Sequence, residues 1–321
     1  MNNSSSPLVS IRCITYNHEK YIRDALEGFV MQKTNFKFEA IVHDDASTDN
    51  TAAIIREYAE KYPDIIKPIF ETENQYSKHD GSLARIMNAA CKGKYFAFCE
   101  GDDYWTDPYK LQKQVDFMEN HQECSLTYHA CKNIFVNRNE TSHRLFGENV
   151  LNSYSSIDIL KDYFHTATIL VRREVLYSEL YSKVIKLGCQ SGDTLLYLTA
   201  SRLGEIKGTN EKMSVYRRHL NGASQKLNSY KTIYKDYRIW VSIANIFKGD
   251  IKKWLEKNKL KMYIASPFII KDFNLSFKLI RYGITNSPKS VLYAILYLIG
   301  FYIKRIHERL SKCYFKDYKK Q

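Results

Sequence analysis

The sequence predicts an α/β fold: a mostly parallel sheet flanked by helices, with a helical extension toward the C-terminus. Two observations carry this. Short apolar runs suited to buried strands alternate with segments whose apolar residues recur at helical spacing, the pattern of a parallel sheet. Three of the runs also end in polar clusters, and in such sheets the ligand sits beyond the carboxyl ends of the strands.

The first run, Leu8-Val9-Ser10-Ile11-Arg12-Cys13-Ile14, ends in Thr15-Tyr16-Asn17. Tyr21, Ile22, Ala25, Leu26, Phe29 and Val30 follow with helical period. A second strand, Phe38 to His43, runs into Asp44-Asp45-Ala46-Ser47-Thr48-Asp49, where Ser47 to Asp49 offer N-cap chemistry for a helix carrying Ile54, Ile55, Tyr58 and Ala59. The third, Tyr95-Phe96-Ala97-Phe98-Cys99, is bounded by Gly93 and ends in Glu100-Gly101-Asp102-Asp103-Tyr104-Trp105. Three carboxylates in four positions repel one another unless a divalent cation or a set of hydrogen-bond donors sits on them. Hard oxygens suit Mg²⁺ or Mn²⁺, whereas the plain alternative is a solvated acidic turn. Further on, Gly192-Asp193 opens the helical pattern Thr194 to Leu198, and a strand from Met213 to Arg217 leads to Arg218-His219.

The chain has 321 residues, 44% of them apolar, enough for one sizeable core and an extension. Residues 1–7 are polar and expected to fray, with no apolar run after a basic start. Seven cysteines lie scattered without CxxC spacing, which argues for reduced thiols rather than a disulfide framework or zinc site. Cys13 and Cys99 read as small core residues. The net charge of +13 is segregated: from Ile251 to Gln321, sixteen Lys and Arg face four Asp and Glu. A near-neutral body with a basic tail implies an anionic partner for the tail. That tail also holds the apolar run Val291 to Ile303, flanked by Lys289 before it and Lys304, Arg305, Arg309 and Lys312 after it. Thirteen helical residues reach only about 20 Å, short of a bilayer core. The expectation is an interfacial helix drawn to anionic lipid; the alternative is a core helix. Nucleic acid fits poorly, because the aromatics sit within apolar runs rather than on a basic stacking surface.

The blocks Ser10 to Asn17, Asp44 to Asp49, Gly93-Lys94-Tyr95 with Glu100 to Trp105, Gly192-Asp193 and Tyr216-Arg217-Arg218-His219 together resemble a family 2 glycosyltransferase of the GT-A fold. The order and spacing fit over roughly residues 8–225, and EGDDYWTDPYKLQKQVDF is similar to a bacterial subgroup that builds cell-surface polysaccharide. The resemblance implies a Rossmann-like GT-A catalytic domain over 1–225 and a helical, basic, membrane-associating extension over 226–321. It implies transfer of a hexose or N-acetylhexosamine from a nucleotide-diphosphate sugar, a UDP-sugar by expectation, to a glycan or lipid-linked glycan. The setting would be cytoplasmic, peripheral on the inner face of the cell membrane.

By the same resemblance, Asp102, Asp103 and His219 hold Mg²⁺ or Mn²⁺, with Asp103 the expected direct contact. Asp102 lies between metal and ribose, and Glu100 nearer the ribose, where relatives carry Asp. Asp45 meets the base edge, and Tyr16 packs on the base with the Thr15 backbone nearby. Arg85 is a diphosphate contact on an imperfect match. Asp193 is the general base; a helix N-terminus favours its carboxylate form, although the same position suits an ordinary cap. Asn221 to Ser224 would continue a loop over the donor, His165 to Thr168 would line the acceptor side, and Trp105 would stack on a sugar or pack in the core. Two other classes remain open at this level. A nucleotidyltransferase also needs paired carboxylates, but the chain lacks a Gly-rich basic loop after the first strand. A non-catalytic sugar- or lipid-binding module on the same fold would not need Asp102, Asp103 and Asp193 together.

Overall fold

The computed structural model describes residues 6–78, 80–136, 151–161, 164–189, 191–219, 232–269 and 272–318. The chain divides into two compact units, Met1–Gln225 and Lys226–Gln321.

The first unit contains, in order, β1 (Val9–Thr15), α1 (Ile22–Val30), β2 (Phe38–Asp44), α2 (Thr51–Lys61), β3 (Ile66–Phe70), α3 (Ser82–Ala90), β4 (Tyr95–Phe98), β5 (Tyr104–Trp105), α4 (Lys110–Asn120), β6 (Cys124–Phe135), α5 (Ser156–Lys161), β7 (Leu170–Arg172), α6 (Arg173–Tyr177), α7 (Glu179–Ile185), α8 (Gly192–Leu203) and β8 (Glu205–Arg218). One sheet runs β3-β2-β1-β4-β7-β6-β8-β5. Its first four strands are parallel, as the alternating pattern predicts. The other half is mixed: β7 is antiparallel to both β4 and β6, β8 is parallel to β6, and β5 is antiparallel to β8.

The register explains the convergence at one edge. Thr15 pairs with Asp44 across β1 and β2, and Arg12 pairs with Phe98 across β1 and β4. The polar clusters after all three strands therefore emerge side by side. Val9, Ile11, Cys13, Ala40, Val42, Tyr95, Ala97 and Cys99 are buried with Ile22, Leu26 and Phe29 of α1 in one apolar cluster. Trp105 belongs to this core rather than to a sugar site. It is 2% exposed, meets Phe29 edge-on with ring centroids 5.1 Å apart, and donates its indole N–H to the Ala167 carbonyl at 2.9 Å.

The second unit is helical: α9 (Ile233–Phe247), α10 (Gly249–Leu255), a π turn at Glu256–Leu260, α11 (Lys261–Ile269), α12 (Phe273–Asn286) and α13 (Pro288–Tyr318). Tyr237, Trp240, Val241, Ile251, Leu255, Leu260, Ile264, Leu279, Val291 and Ala294 are buried. The start of α13 is tied in by polar contacts: Ser287 donates to Glu256 Oε1 at 3.0 Å, and the hydroxyls of Tyr237 and Ser290 lie 2.9 Å apart. The apolar run of the sequence is thus the first part of a 31-residue helix, about 46 Å long. It is not solvated evenly. Val291 and Ala294 are buried, while Leu292, Ile295, Leu296, Ile299, Tyr302 and Ile303 are each about half exposed or more. Among the described residues no helix is long and apolar enough to cross a membrane.

Candidate active site

The ends of β1, β2 and β4 are locked together by short-range chemistry. Asn17 takes a left-handed conformation at φ 55°, which Asn tolerates better than most residues. Its N–H donates to Ser47 Oγ at 2.9 Å, and its side-chain carbonyl accepts the Thr48 N–H at 2.8 Å. The next amide, His18 N–H, donates to Thr51 Oγ1 at 2.8 Å, and Asp49 accepts the Thr51 N–H at 3.0 Å, so the anticipated capping chemistry comes from Asp49. Gly101 fits where no side chain does: a Cβ there would stand 2.5 Å from Thr15 Oγ1 and 2.6 Å from Thr15 Cβ.

On this frame sit the three carboxylates. Asp102 Oδ2 lies 2.9 Å from His219 Nε2 and 3.8 Å from His18 Nε2. Burial acts to raise the Asp102 pKa, but the His219 hydrogen bond and the two imidazole charges overcome it and hold it below the ordinary carboxylate range. Asp103 is different. It is 2% exposed, and its Oδ1 accepts the Arg217 amide at 2.8 Å while Oδ2 lies 3.6 Å from His165 Nε2. Burial, then the charges of Asp102 and Glu100, push its carboxyl well up. Burial likewise pushes Glu100 up to about 7, against a hydrogen bond from Thr166 at 2.8 Å. The cluster thus concentrates more acid than its surroundings neutralise, and one member, Asp102, stays ionised beside two imidazoles.

The two adjacent aspartates have different partners. Asp103 anchors the backbone two residues before His219 and faces His165, and Asp102 faces His18 and His219. His18, Asp102 and His219 offer ligand atoms that all lie within 4.8 Å of one another, a donor set that fits a divalent cation.

Asp193 stands in the first turn of α8, whose N-cap is Ser191. Asp193 Oδ1 accepts the Thr194 N–H at 2.7 Å. Its charge raises the pKa of Tyr76 after burial, and adds a small further rise to Glu100 after burial and Asp102. Thr15 is buried, whereas Tyr16 is 44% exposed. Asp45 is buried, and its two oxygens accept the amides of Gln75 and Tyr76 at 2.7 and 3.0 Å, which fixes the loop beyond β3. Arg85 is mostly exposed and donates to the Asp80 carbonyl at 2.8 Å; its described contacts lie outside the carboxylate cluster. Residues 221–224 lie outside the described residues.

Two participants escape the sequence reading. His18 follows directly on Tyr16-Asn17, and that adjacency to a strand-end polar cluster was its only signal. The second is Asp24, which forms an ion pair with Arg217; the same guanidinium lies over the rings of Tyr104 and Tyr21 at 4.3 and 5.4 Å. Nothing in the spacing of Asp24 and Arg217 announces that pairing.

The chain belongs to glycosyl transferase family 2, whose description matches residues 10–178, more than half of its length. Its fold is of the GT-A type. A Mycobacterium tuberculosis protein described as uncharacterized is 38% identical over 216 residues, covering 67% of this chain and 60% of that one. The match thus spans about 60% of the length of the first curated relatives. An Escherichia coli protein described as UDP-Glc:alpha-D-GlcNAc-diphosphoundecaprenol beta-1,3-glucosyltransferase WfaP is 26% identical over 74% of this chain and 87% of its own. The fold is shared with Staphylococcus aureus TarS 1-349, solved in complex with UDP-GlcNAc, at a TM-score of 0.57 and 20% identity, covering 81% of this chain and 72% of that one.

Proposed function

We propose that this glycosyltransferase moves a hexose or N-acetylhexosamine from a UDP-sugar to a glycan or lipid-linked glycan, with inversion, in the synthesis of bacterial surface polysaccharide. The observation that carries the reading is the carboxylate cluster after β4, where Asp102 meets His219 from the end of β8 at 2.9 Å and His18 from the loop after β1 at 3.8 Å, with Asp193 opening α8 as the acid set to take a proton. The WfaP relationship supports the UDP donor and a diphosphoundecaprenol-linked acceptor.

In this reading Asp102, Asp103 and His219 would hold a divalent cation, Mg²⁺ or Mn²⁺, which when bound would supply Lewis-acid neutralisation of the leaving diphosphate. The protein's own groups do the rest. Asp103 holds the Arg217 amide and thereby sets His219. Tyr16, exposed at the end of β1, offers a face for the base, and Asp45 fixes the loop wall beside it. Glu100 faces the ribose. Asp193 accepts the proton of the acceptor hydroxyl as its oxygen bonds to the anomeric carbon and the bond to the diphosphate breaks. Attack opposite the leaving group inverts that carbon.

Asp193→Asn tests the assignment. Donor binding should persist while transfer falls by roughly 10²- to 10⁴-fold, the range for loss of a general base. Equal losses of donor affinity and rate would point to a folding role instead, and NMR of a product with retained anomeric configuration would contradict single displacement.

The second unit supports a peripheral site on the inner face of the cell membrane. Leu292, Ile295, Leu296, Ile299 and Ile303 form an exposed stripe on α13, and the exposed Lys304 and Arg305 continue the helix. Phe273, Phe277 and Ile284 of α12 are also exposed. An apolar stripe with adjoining cations suits an anionic lipid surface.

A further inference from the structure

We propose that Asp24 is a positioning residue: its ion pair with Arg217 holds the end of β8 against the carboxylate cluster, so that a half-exposed acid on α1 sets how tightly the donor's diphosphate is bound. The place in the reaction rests on the donor-binding reading above, whereas the strut itself rests on the contacts of Arg217.

Arg217, the last residue but one of β8, is held through backbone and side chain alike. Its N–H donates to Asp103 Oδ1 at 2.8 Å. Its guanidinium donates through Nη1 to the Asp102 carbonyl at 3.2 Å and through Nη2 to Asp24 Oδ2. The same group lies over the rings of Tyr104 and Tyr21, 4.3 and 5.4 Å from their centroids. One residue thus ties α1, the turn after β4, β5 and β8 together. His219 follows two positions on, its ring 4.9 Å from that of Tyr21.

Charge decides which of these contacts governs the rest. The Arg217 side chain is only 10% exposed, and Asp24 supplies the carboxylate within ion-pair distance of it among the described residues. A mostly buried guanidinium that loses its partner is left uncompensated. Its charge already acts on Asp103, where it opposes the rise in that carboxyl's pKa. Without Asp24 nothing draws the guanidinium toward α1, and it competes with a bound cation for the cluster's carboxylates. The plain role for Asp24 is different: it stands in the first turn of α1, where a carboxylate favours the helix. That role would change stability alone. The same helix also provides a comparison. Arg23 pairs with Glu57 at 2.6 Å, but both side chains are half exposed, and such open pairs contribute little.

The test uses the full chain, with UDP and Mn²⁺ as the calorimetric probe and amide hydrogen exchange of the protein without metal or nucleotide as the second readout. Asp24→Asn keeps the shape of the side chain and removes its charge. It should bind UDP about 10- to 100-fold more weakly, the range for losing a group that supports a ligand from behind. It should also exchange faster over residues 213–218, the end of β8, with little change in Tm. Asp24→Glu and Glu57→Gln should keep wild-type affinity and exchange. Unchanged exchange at 213–218 overturns the proposal, and so does unchanged UDP affinity when the wild type binds UDP. Faster exchange in Asp24→Asn, with a wild type that binds no UDP, would uphold the strut and overturn the donor reading instead.

Discussion

Replacing Gly101 with Ala tests how closely the ends of β1 and β4 must approach for the site to form. The new Cβ would lie 2.5 Å from Thr15 Oγ1, 2.6 Å from Thr15 Cβ and 3.0 Å from Ile22 Cδ1. Ordinary contact begins near 3.4 Å, so the strand ends must separate by roughly 1 Å, and rotating the Thr15 hydroxyl away leaves the Cβ clash in place. Forcing one methyl into a packed region costs about 1–3 kcal/mol. For a unit of this size that lowers Tm by roughly 2–12 °C. The functional cost should be larger, because Asp102 is the next residue and a displacement of about 1 Å can reduce a rate about 10²-fold. The assay pairs thermal denaturation with steady-state transfer kinetics. Thr15→Ala in the same chain removes the hydroxyl but keeps Cβ, so recovery should be incomplete. A Gly101→Ala protein with wild-type Tm and wild-type kcat would refute the claim that this contact sets the site.

Lys110 is fully buried over the Trp105 ring, its Nζ donating to Gln114 at 2.7 Å, and burial pushes its pKa from 10.5 down to about 7. Between those values the unfolded chain binds more protons than the folded one, so stability should rise with pH from about 7 to 10.5; Lys110→Met should flatten that rise and stabilise the protein at pH 6, and an unchanged slope in denaturant titrations would contradict it. For the membrane face, cutting at Ser287 is a poor test, because Ser287, Ser290 and Val291 are packed inside the helical unit. Replacing Leu292, Leu296, Ile299 and Ile303 with Ser leaves that packing alone and removes up to roughly 1 kcal/mol of interfacial burial per side chain. Binding to anionic liposomes should then weaken by roughly 10²-fold or more, while equal co-sedimentation of both proteins would reject the lipid surface.

Much of the frame was legible because buried parallel strands write themselves as apolar runs and their ends as polar clusters. The parallel half followed from that pattern. The mixed half did not: β6 buries Ser125, Thr127 and His129, which break the apolar pattern, and its partner β8 is far along the chain. The acidic cluster was visible, but not the partners of its members. That Asp102 meets His219 while Asp103 takes the Arg217 amide and faces His165 depends on backbone direction after β4 and on contacts far along the chain, which residue order does not reveal. Trp105 illustrates the same limit, since its packing against Phe29 and its bond to Ala167 are long-range facts. Nor does the composition of the run at 291–303 reveal that one side of the helix is packed and the other exposed, which depends on contacts with Tyr237 and Gly283.

The central claim is that this crevice binds a nucleotide-diphosphate sugar through a cation held by Asp102. The most direct test is calorimetric titration of the wild type and Asp102→Asn with a panel of UDP-sugars, each with Mn²⁺ and with EDTA. The account predicts that at least one UDP-sugar binds the wild type with Mn²⁺, and that both EDTA and Asp102→Asn abolish the binding in an otherwise folded protein. Binding that is indifferent to EDTA and to Asp102, or no binding by any member of the panel, would contradict it.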